Sequence, residues 1–104
     1  MNSVVIIGRI GNDIELKITS NNKKVVEFSL ADTEKQNNEN ITTWFNCIAW
    51  EGLAETINKY AHKGDMIGIR GKIRNSKYTN KDGQERTKTY VLVENLQLLP
   101  NERK

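Results

Sequence analysis

Residues 43–60 read TWFNCIAWEGLAETINKY, a strand-like run that gives way to a helix-like one. Thr43–Trp50 is dominated by threonine, aromatic and β-branched residues, the composition of a strand. With a period of two, Trp44, Asn46, Ile48 and Trp50 point one way and Phe45, Cys47 and Ala49 the other. From Leu53 to Tyr60 the period changes. Leu53, Ile57 and Tyr60 stand at i, i+4 and i+7, the apolar stripe of a helix. Lys63-Gly64-Asp65 is the expected helix end, with Gly64 suited to a left-handed cap.

Outward from this junction every other periodic segment reads as strand. Val4–Ile10 is apolar and β-branched and reads as a buried strand, Glu15–Ile18 alternates, and Lys24–Leu30 places Val26, Phe28 and Leu30 on one face. Asp32–Thr42 has no apolar periodicity and is expected to be a long flexible loop. In Met66–Arg74, Ile67, Ile69, Gly71 and Ile73 share one face, and Gly68, Arg70, Lys72 and Arg74 the other. Asn80-Lys81-Asp82-Gly83 predicts a hairpin turn, and Arg86–Leu99 a long, bent final strand ended by Pro100. The order is three strands, a helix, then two strands. It predicts an all-β domain over residues 1–100, a five-stranded Greek-key barrel of the OB-fold type with one helix between the third and fourth strands. Residues 101–104 form a short polar tail.

Composition narrows the function. At 104 residues with 37% hydrophobic content, the chain supports one domain with a lean core. The single cysteine, Cys47, excludes an internal disulfide framework and a cysteine cage, and the single histidine, His62, excludes a multi-histidine zinc site. No metal and no cofactor are expected. No apolar run approaches the roughly 18 residues of a membrane span, so a soluble, reduced, cytoplasmic protein is the expectation. The net charge of +3 is unevenly distributed. Lys59–Lys88 holds nine bases against three acids, a local +6, and the remainder carries −3. Charge alone leaves two readings open, a solvated hairpin kept soluble by lysines and a surface that tracks phosphates.

The aromatic residues favour the second. Trp44 and Trp50 lie on one strand face, about 20 Å apart by strand rise, and Tyr78 follows the alternating basic face of Arg70, Lys72 and Arg74. Rings on which bases stack, interleaved with cations along a backbone path, are what single strands of nucleic acid require. Phe28 and Tyr60 are expected in the core, Cys47 as inert packing, and His62 as a helix-end residue. Neither Gly8-Arg9-Ile10-Gly11 nor Gly68-Ile69-Arg70-Gly71 continues as a phosphate loop. The carboxylates form no acid/base pair, so catalysis is not expected.

Five stretches carry a resemblance: residues 1–10 with Asp13-Ile14-Glu15-Leu16, residues 44–55, Tyr60-Ala61-His62-Lys63-Gly64-Asp65, Ile69-Arg70-Gly71-Lys72-Ile73-Arg74, and residues 78–86. In this order and spacing the chain resembles the bacterial-type single-stranded DNA-binding proteins from Asn2 to about Leu99. The resemblance implies binding of single-stranded DNA without sequence preference, in replication, recombination or repair, and assembly as a homotetramer, with a dimer as the alternative. It places Trp44, Trp50 and Tyr78 where the family stacks bases, and Arg9, Lys72, Arg74, Lys77 and Arg86 in or near its basic path. Lys35 stands where some members carry a further stacking tryptophan, which shifts that contact toward electrostatics. Replicative members continue into a linker with an acidic, hydrophobic tip. Asn101–Lys104 has no such character, so the expectation is a trimmed chain or a tail-less member of phage, plasmid, mobile-element or competence type, without tail-mediated partner recruitment. The cellular place implied is the nucleoid. A primosomal replication protein N-like adaptor, binding DNA weakly and recruiting replication proteins, is the alternative. An OB-domain that reads a sugar or a protein is more distant, because the +6 region argues against it.

Overall fold

The computed structural model describes residues 1–99. Its elements are β1 (Val4–Ile10), β2 (Lys17–Ile18), β3 (Lys24–Gln36), β4 (Glu39–Trp50), α1 (Glu51–Tyr60), β5 (Met66–Thr79) and β6 (Glu85–Leu98). The sheet runs β1-β5-β6-β4-β3-β2, with a further β1–β3 pairing that sets Arg9 opposite Ala31 and Ile10 opposite Leu30. That pairing closes the five long strands into a barrel, and α1 falls between the third and fourth of them, as the OB-fold expectation requires. The pairing of β4 with β6 is parallel, with Cys47 opposite Val91. The half-buried strand expected over Glu15–Ile18 is reduced to β2.

Two glycines make the closure possible. A Cβ on Gly8 would stand 2.6 Å from the Ala31 carbonyl oxygen, so a side chain there would push β1 off β3. A Cβ on Gly71 would stand 2.1 Å from the Leu92 carbonyl oxygen. Gly71 lies at the β5–β6 irregularity, where Arg70 pairs with Asn95 but Gly71 with Val93. The skipped Glu94 is a bulge, and bulges bend strands and re-aim their side chains. Before it Val91 and Val93 face the core; after it Leu96 does. The final strand is therefore bent, as expected.

The core gathers alternate residues of each strand: Ile6 and Ile10, Val26, Phe28 and Leu30, Cys47 and Ala49, Ile67 and Ile69, Val91 and Val93. Helix α1 lies against β3, β4 and β6 and buries Ala54 and Ile57, with Ala61 just beyond its end. Glu51 enters the helix with φ at 54°, a left-handed residue that turns the chain sharply out of β4. Its carboxylate accepts from the Lys24 backbone N–H at 2.7 Å, and the Lys24 ammonium pairs with Glu55. The hydrogen bond and charge of Glu55 hold that ammonium above its usual pKa.

Several sequence expectations are corrected. The loop expected over Asp32–Thr42 is instead a hairpin arm. β3 and β4 pair without interruption from Val25 opposite Trp50 to Gln36 opposite Glu39. Asn37 and Asn38 turn the chain with φ of 51° and 64°, the two left-handed residues of a two-residue hairpin loop. The arm is polar because both its faces meet water, which erases the alternation that marks a half-buried strand. Tyr60 is exposed rather than core, because α1 presents Ala54 and Ile57 inward and only half-buries Leu53. Gly64 does have a left-handed φ of 89°, but it stands beyond the helix, which ends at Tyr60. It occupies the third position of a His62–Asp65 turn closed by Asp65 N–H to the His62 carbonyl. Ile73 shares the face of Ile67 and Ile69 but lies past the core, exposed on the β5–β6 arm. Pro100 and the tail at 101–104 lie outside the described residues.

Candidate nucleic-acid interface

Residues opposite each other across a ladder project from the same side of a sheet, so the register decides which side chains can act together. On β4 the outward set is Trp44, Asn46, Ile48 and Trp50, because Cys47 and Ala49 are buried. Ile48 stands opposite Leu92 in the parallel β4–β6 pair. Leu92 stands opposite Lys72, Tyr90 opposite Arg74, Lys88 opposite Ser76 and Arg86 opposite Tyr78. One continuous outer face thus crosses β4, β6 and β5. It carries Trp44, Trp50 and Tyr78 together with Lys72, Arg74 and Arg86. The rings are open to solvent: Trp44 is 59% exposed, Trp50 39% and Tyr78 50%.

The face continues over β3 and β1. Trp44 stands opposite Ala31, and Ala31 opposite Arg9, so Arg9 joins the row at Trp44 from two strands away. The Arg9 guanidinium donates to the Gly64 carbonyl at 3.1 Å. Lys35, opposite Asn40, has the same parity as Ala31 and carries this face out along the β3–β4 arm. Lys77 does not join it. It stands opposite Thr87 on the reverse of the β5–β6 arm, and its ammonium is 3.8 Å from Glu85.

Two residues on this face escaped the sequence reading. Lys88 and Tyr90 alternate with Arg86 along β6, and Lys88 reaches Glu27 at 3.7 Å. The period-two rule applied to β6 gives their parity. Only the pairing with β4 and β5 shows which side that parity is on.

The supports of the site are local. Asn80 holds the β5–β6 turn by accepting from the N–H groups of Asp82 and Gln84 at 3.0 and 2.9 Å, and Gly83 takes a φ of 78°. Arg86 donates to Gln84 at 2.8 Å. Asn12 accepts from the Ser29 N–H at 2.8 Å, beside a hollow lined by Ser29, Asn46 and Lys88. Cys47 lies beneath the face, where burial pushes its thiol up to about 12, so it is protonated and unreactive at neutral pH. His62 sits away from the face, its Nδ1 3.5 Å from the Asp65 carboxylate. Among the described residues no three His, Cys, Asp or Glu side chains are grouped to hold a metal ion, and no helix is long and apolar enough to cross a membrane. What the arrangement can do is stack flat rings against flat rings and neutralise a polyanion, without reading base edges through a rigid set of donors.

Comparison with known proteins agrees with this geometry. A model described as the single-strand binding protein family matches residues 1–99. Single-stranded DNA-binding protein 3 of Streptococcus agalactiae serotype V is 38% identical over 95% of this chain and 74% of its own length. The single-stranded DNA-binding protein of Enterococcus faecalis is 37% identical over 95% of this chain and 54% of its own. The chain thus spans between about half and three quarters of these two relatives. A solved structure, the Plasmodium falciparum SSB complex with ssDNA, superposes with a TM-score of 0.86 at 25% identity, covering 96% of both chains.

Proposed function

This chain belongs to the single-strand binding protein family, and from that premise we propose that it binds single-stranded DNA without sequence preference. In that role it protects and organises the strand during replication, recombination or repair, in the cytoplasm at the nucleoid. One observation carries the reading: a single outer face over β4, β6 and β5 presents Trp44, Trp50 and Tyr78 among Lys72, Arg74 and Arg86. Bases stack on the rings, each worth about 1–3 kcal/mol, and the cations follow the phosphates. Arg9 and Lys35 extend the basic path toward β1 and the β3–β4 arm. Lys77, on the reverse of the β5–β6 arm, contributes less.

Self-association is part of the proposal. Val5 and Ile7 project from β1 at 69% and 56% exposure, beside an apolar hollow of about 220 Å³ lined also by Leu96 and Leu99. Val4–Ile7 pair with β5 on one side only. An apolar, half-paired strand is a surface for a second copy. A homotetramer, or a dimer, accounts for it, and sedimentation with and without a long deoxythymidine oligomer separates the two.

The test of DNA binding is intrinsic fluorescence. A deoxythymidine homopolymer is expected to quench Trp44 and Trp50, with affinity that falls as salt rises. Absence of both quenching and low-salt binding overturns the proposal.

A further inference from the structure

We propose that the groove between Trp50 and Tyr90 is a separate nucleotide subsite, in which a base stacks on the Tyr90 ring while Arg74 and Lys23 hold the adjoining phosphates. The inference rests on the single-stranded DNA reading above and adds to it a stacking residue and a cation outside the positions that the resemblance implies. The groove has a volume of about 430 Å³ and is lined by Lys23, Trp50, Arg74, Asn75, Tyr90 and Leu92. Arg74 and Tyr90 are direct cross-strand partners, so the guanidinium and the phenol leave the same side of the β5–β6 ladder. Leu92, next on that face, gives the groove an apolar wall beside the rings.

Two of the lysines on the wider face are held by carboxylates. Lys72 is 3.6 Å from Glu94 and Lys88 is 3.7 Å from Glu27. Among the described residues neither Arg74 nor Lys23 has a carboxylate within 4.0 Å, so a phosphate there displaces no carboxylate of those residues. Both rings are also held in place before a nucleotide arrives. Tyr90 is half-buried in a paired strand, and Trp50 ends β4 at the sharp Glu51 turn, with Val25 opposite. A preformed groove spends little ordering entropy on binding.

The experiment measures anisotropy of a fluorescein-labelled deoxythymidine oligomer against the full chain and its variants, with circular dichroism to verify folding. Tyr90→Leu, which keeps the apolar bulk and removes the ring, is expected to weaken binding about fivefold or more, the loss of one stacked base. Tyr90→Phe is expected to bind within about twofold of the parent, since stacking needs the ring and not the hydroxyl. Tyr90→Leu should leave the dependence on salt unchanged, whereas the double variant Lys23→Gln/Arg74→Gln should lower the slope of log affinity against log salt by about one unit. Tyr90→Leu binding like the parent, while Trp44→Ala binds weakly, overturns the subsite and leaves the wider reading intact. No binding by the parent overturns the wider reading itself. If Tyr90→Leu fails to fold, the double variant decides, because both its positions are on the surface; an unchanged slope overturns the subsite.

Discussion

The six-membered edge of the Trp44 indole lies on Gly11. A Cβ on Gly11 would stand 2.4 Å from Cζ3 of Trp44 and 2.9 Å from its Cη2, and 2.9 Å from Oγ of Ser29. The bare backbone therefore acts as a seat for an exposed ring. It fixes the orientation of a stacking platform that the β4 backbone alone leaves free to turn about χ1 and χ2.

Gly11→Ala is expected to unseat that ring. The indole is mostly solvent-exposed and can swing away, so the thermal midpoint should shift by only a few degrees, about 1 kcal/mol or less. Affinity for a deoxythymidine oligomer should fall toward that of Trp44→Ala. In a Trp50→Phe background the remaining Trp44 emission should move to longer wavelength. Unchanged affinity and emission would show that the seat does not matter.

Trp44→Ala and Trp50→Ala should each lose about 1–3 kcal/mol of binding while the fold persists. Phe28→Ala should behave in the opposite way. Phe28 is 4% exposed in the centre of the barrel, and its truncation should cost about 3–5 kcal/mol of stability. Chemical denaturation beside oligomer titration separates the two classes of variant.

Salt titrations distinguish the two faces of the β5–β6 arm. Arg74→Ala and Arg86→Ala, on the aromatic face, should each lower the slope of log affinity against log salt by about 0.7, the value for one phosphate contact on a single strand. Lys77→Ala, on the reverse and 3.8 Å from Glu85, should lower it distinctly less. Equal slopes for all three would mean that the strand wraps the arm instead of lying across one side.

The β3–β4 turn responds to backbone chemistry. Asn38 has a φ of 64°, where glycine fits without strain and a β-branched residue does not. Asn38→Gly should hold or raise stability. Asn38→Val should lower it by about 1–2 kcal/mol, read as a shift in the urea midpoint.

Cys47 links stability to alkaline pH. Burial raises its thiol from 9.0 to about 12, so the folded chain holds the proton more tightly than the unfolded chain. The contribution is fully present below the unfolded value near 9 and is lost as pH rises toward the folded value near 12, with a limiting slope of about 1.36 kcal/mol per pH unit. The difference between parent and Cys47→Ala isolates this term from the lysines and tyrosines that titrate in the same range. Parallel stability curves for the two proteins above pH 9 would exclude it.

Local pattern made much of this protein legible. The even-numbered outward set of Trp44–Trp50 and the buried places of Phe28 and Cys47 followed from a period of two. Val4–Ile10 was misread as a buried strand, because its outward Val5 and Ile7 are as apolar as its inward residues. The helix after Trp50 followed from a change of period, and the turn at Asp82-Gly83 from its own backbone preference. The β3–β4 arm was hidden because a hairpin wet on both faces has no apolar rhythm. Tyr60 was misplaced because an aromatic residue near a helical stripe resembles a core residue until the narrow Ala54–Ile57 contact with the barrel is seen.

Sequence by itself determined the order of the elements and which residues of each strand share a side, because backbone geometry repeats every two residues regardless of context. Tertiary structure alone decided which sides meet. The parallel pairing of Ile48 with Leu92 and the antiparallel pairing of Arg74 with Tyr90 join three strands, distant in sequence, into one aromatic and cationic face. The same ladders turn Lys77 away from that face and bring Arg9 into the row of Trp44, with Ala31 between them. Gly8, Gly11 and Gly71 could be read along the chain only as turn or strand residues. Their role came from the backbone or ring pressed against each of them, a contact that exists only once the barrel has closed.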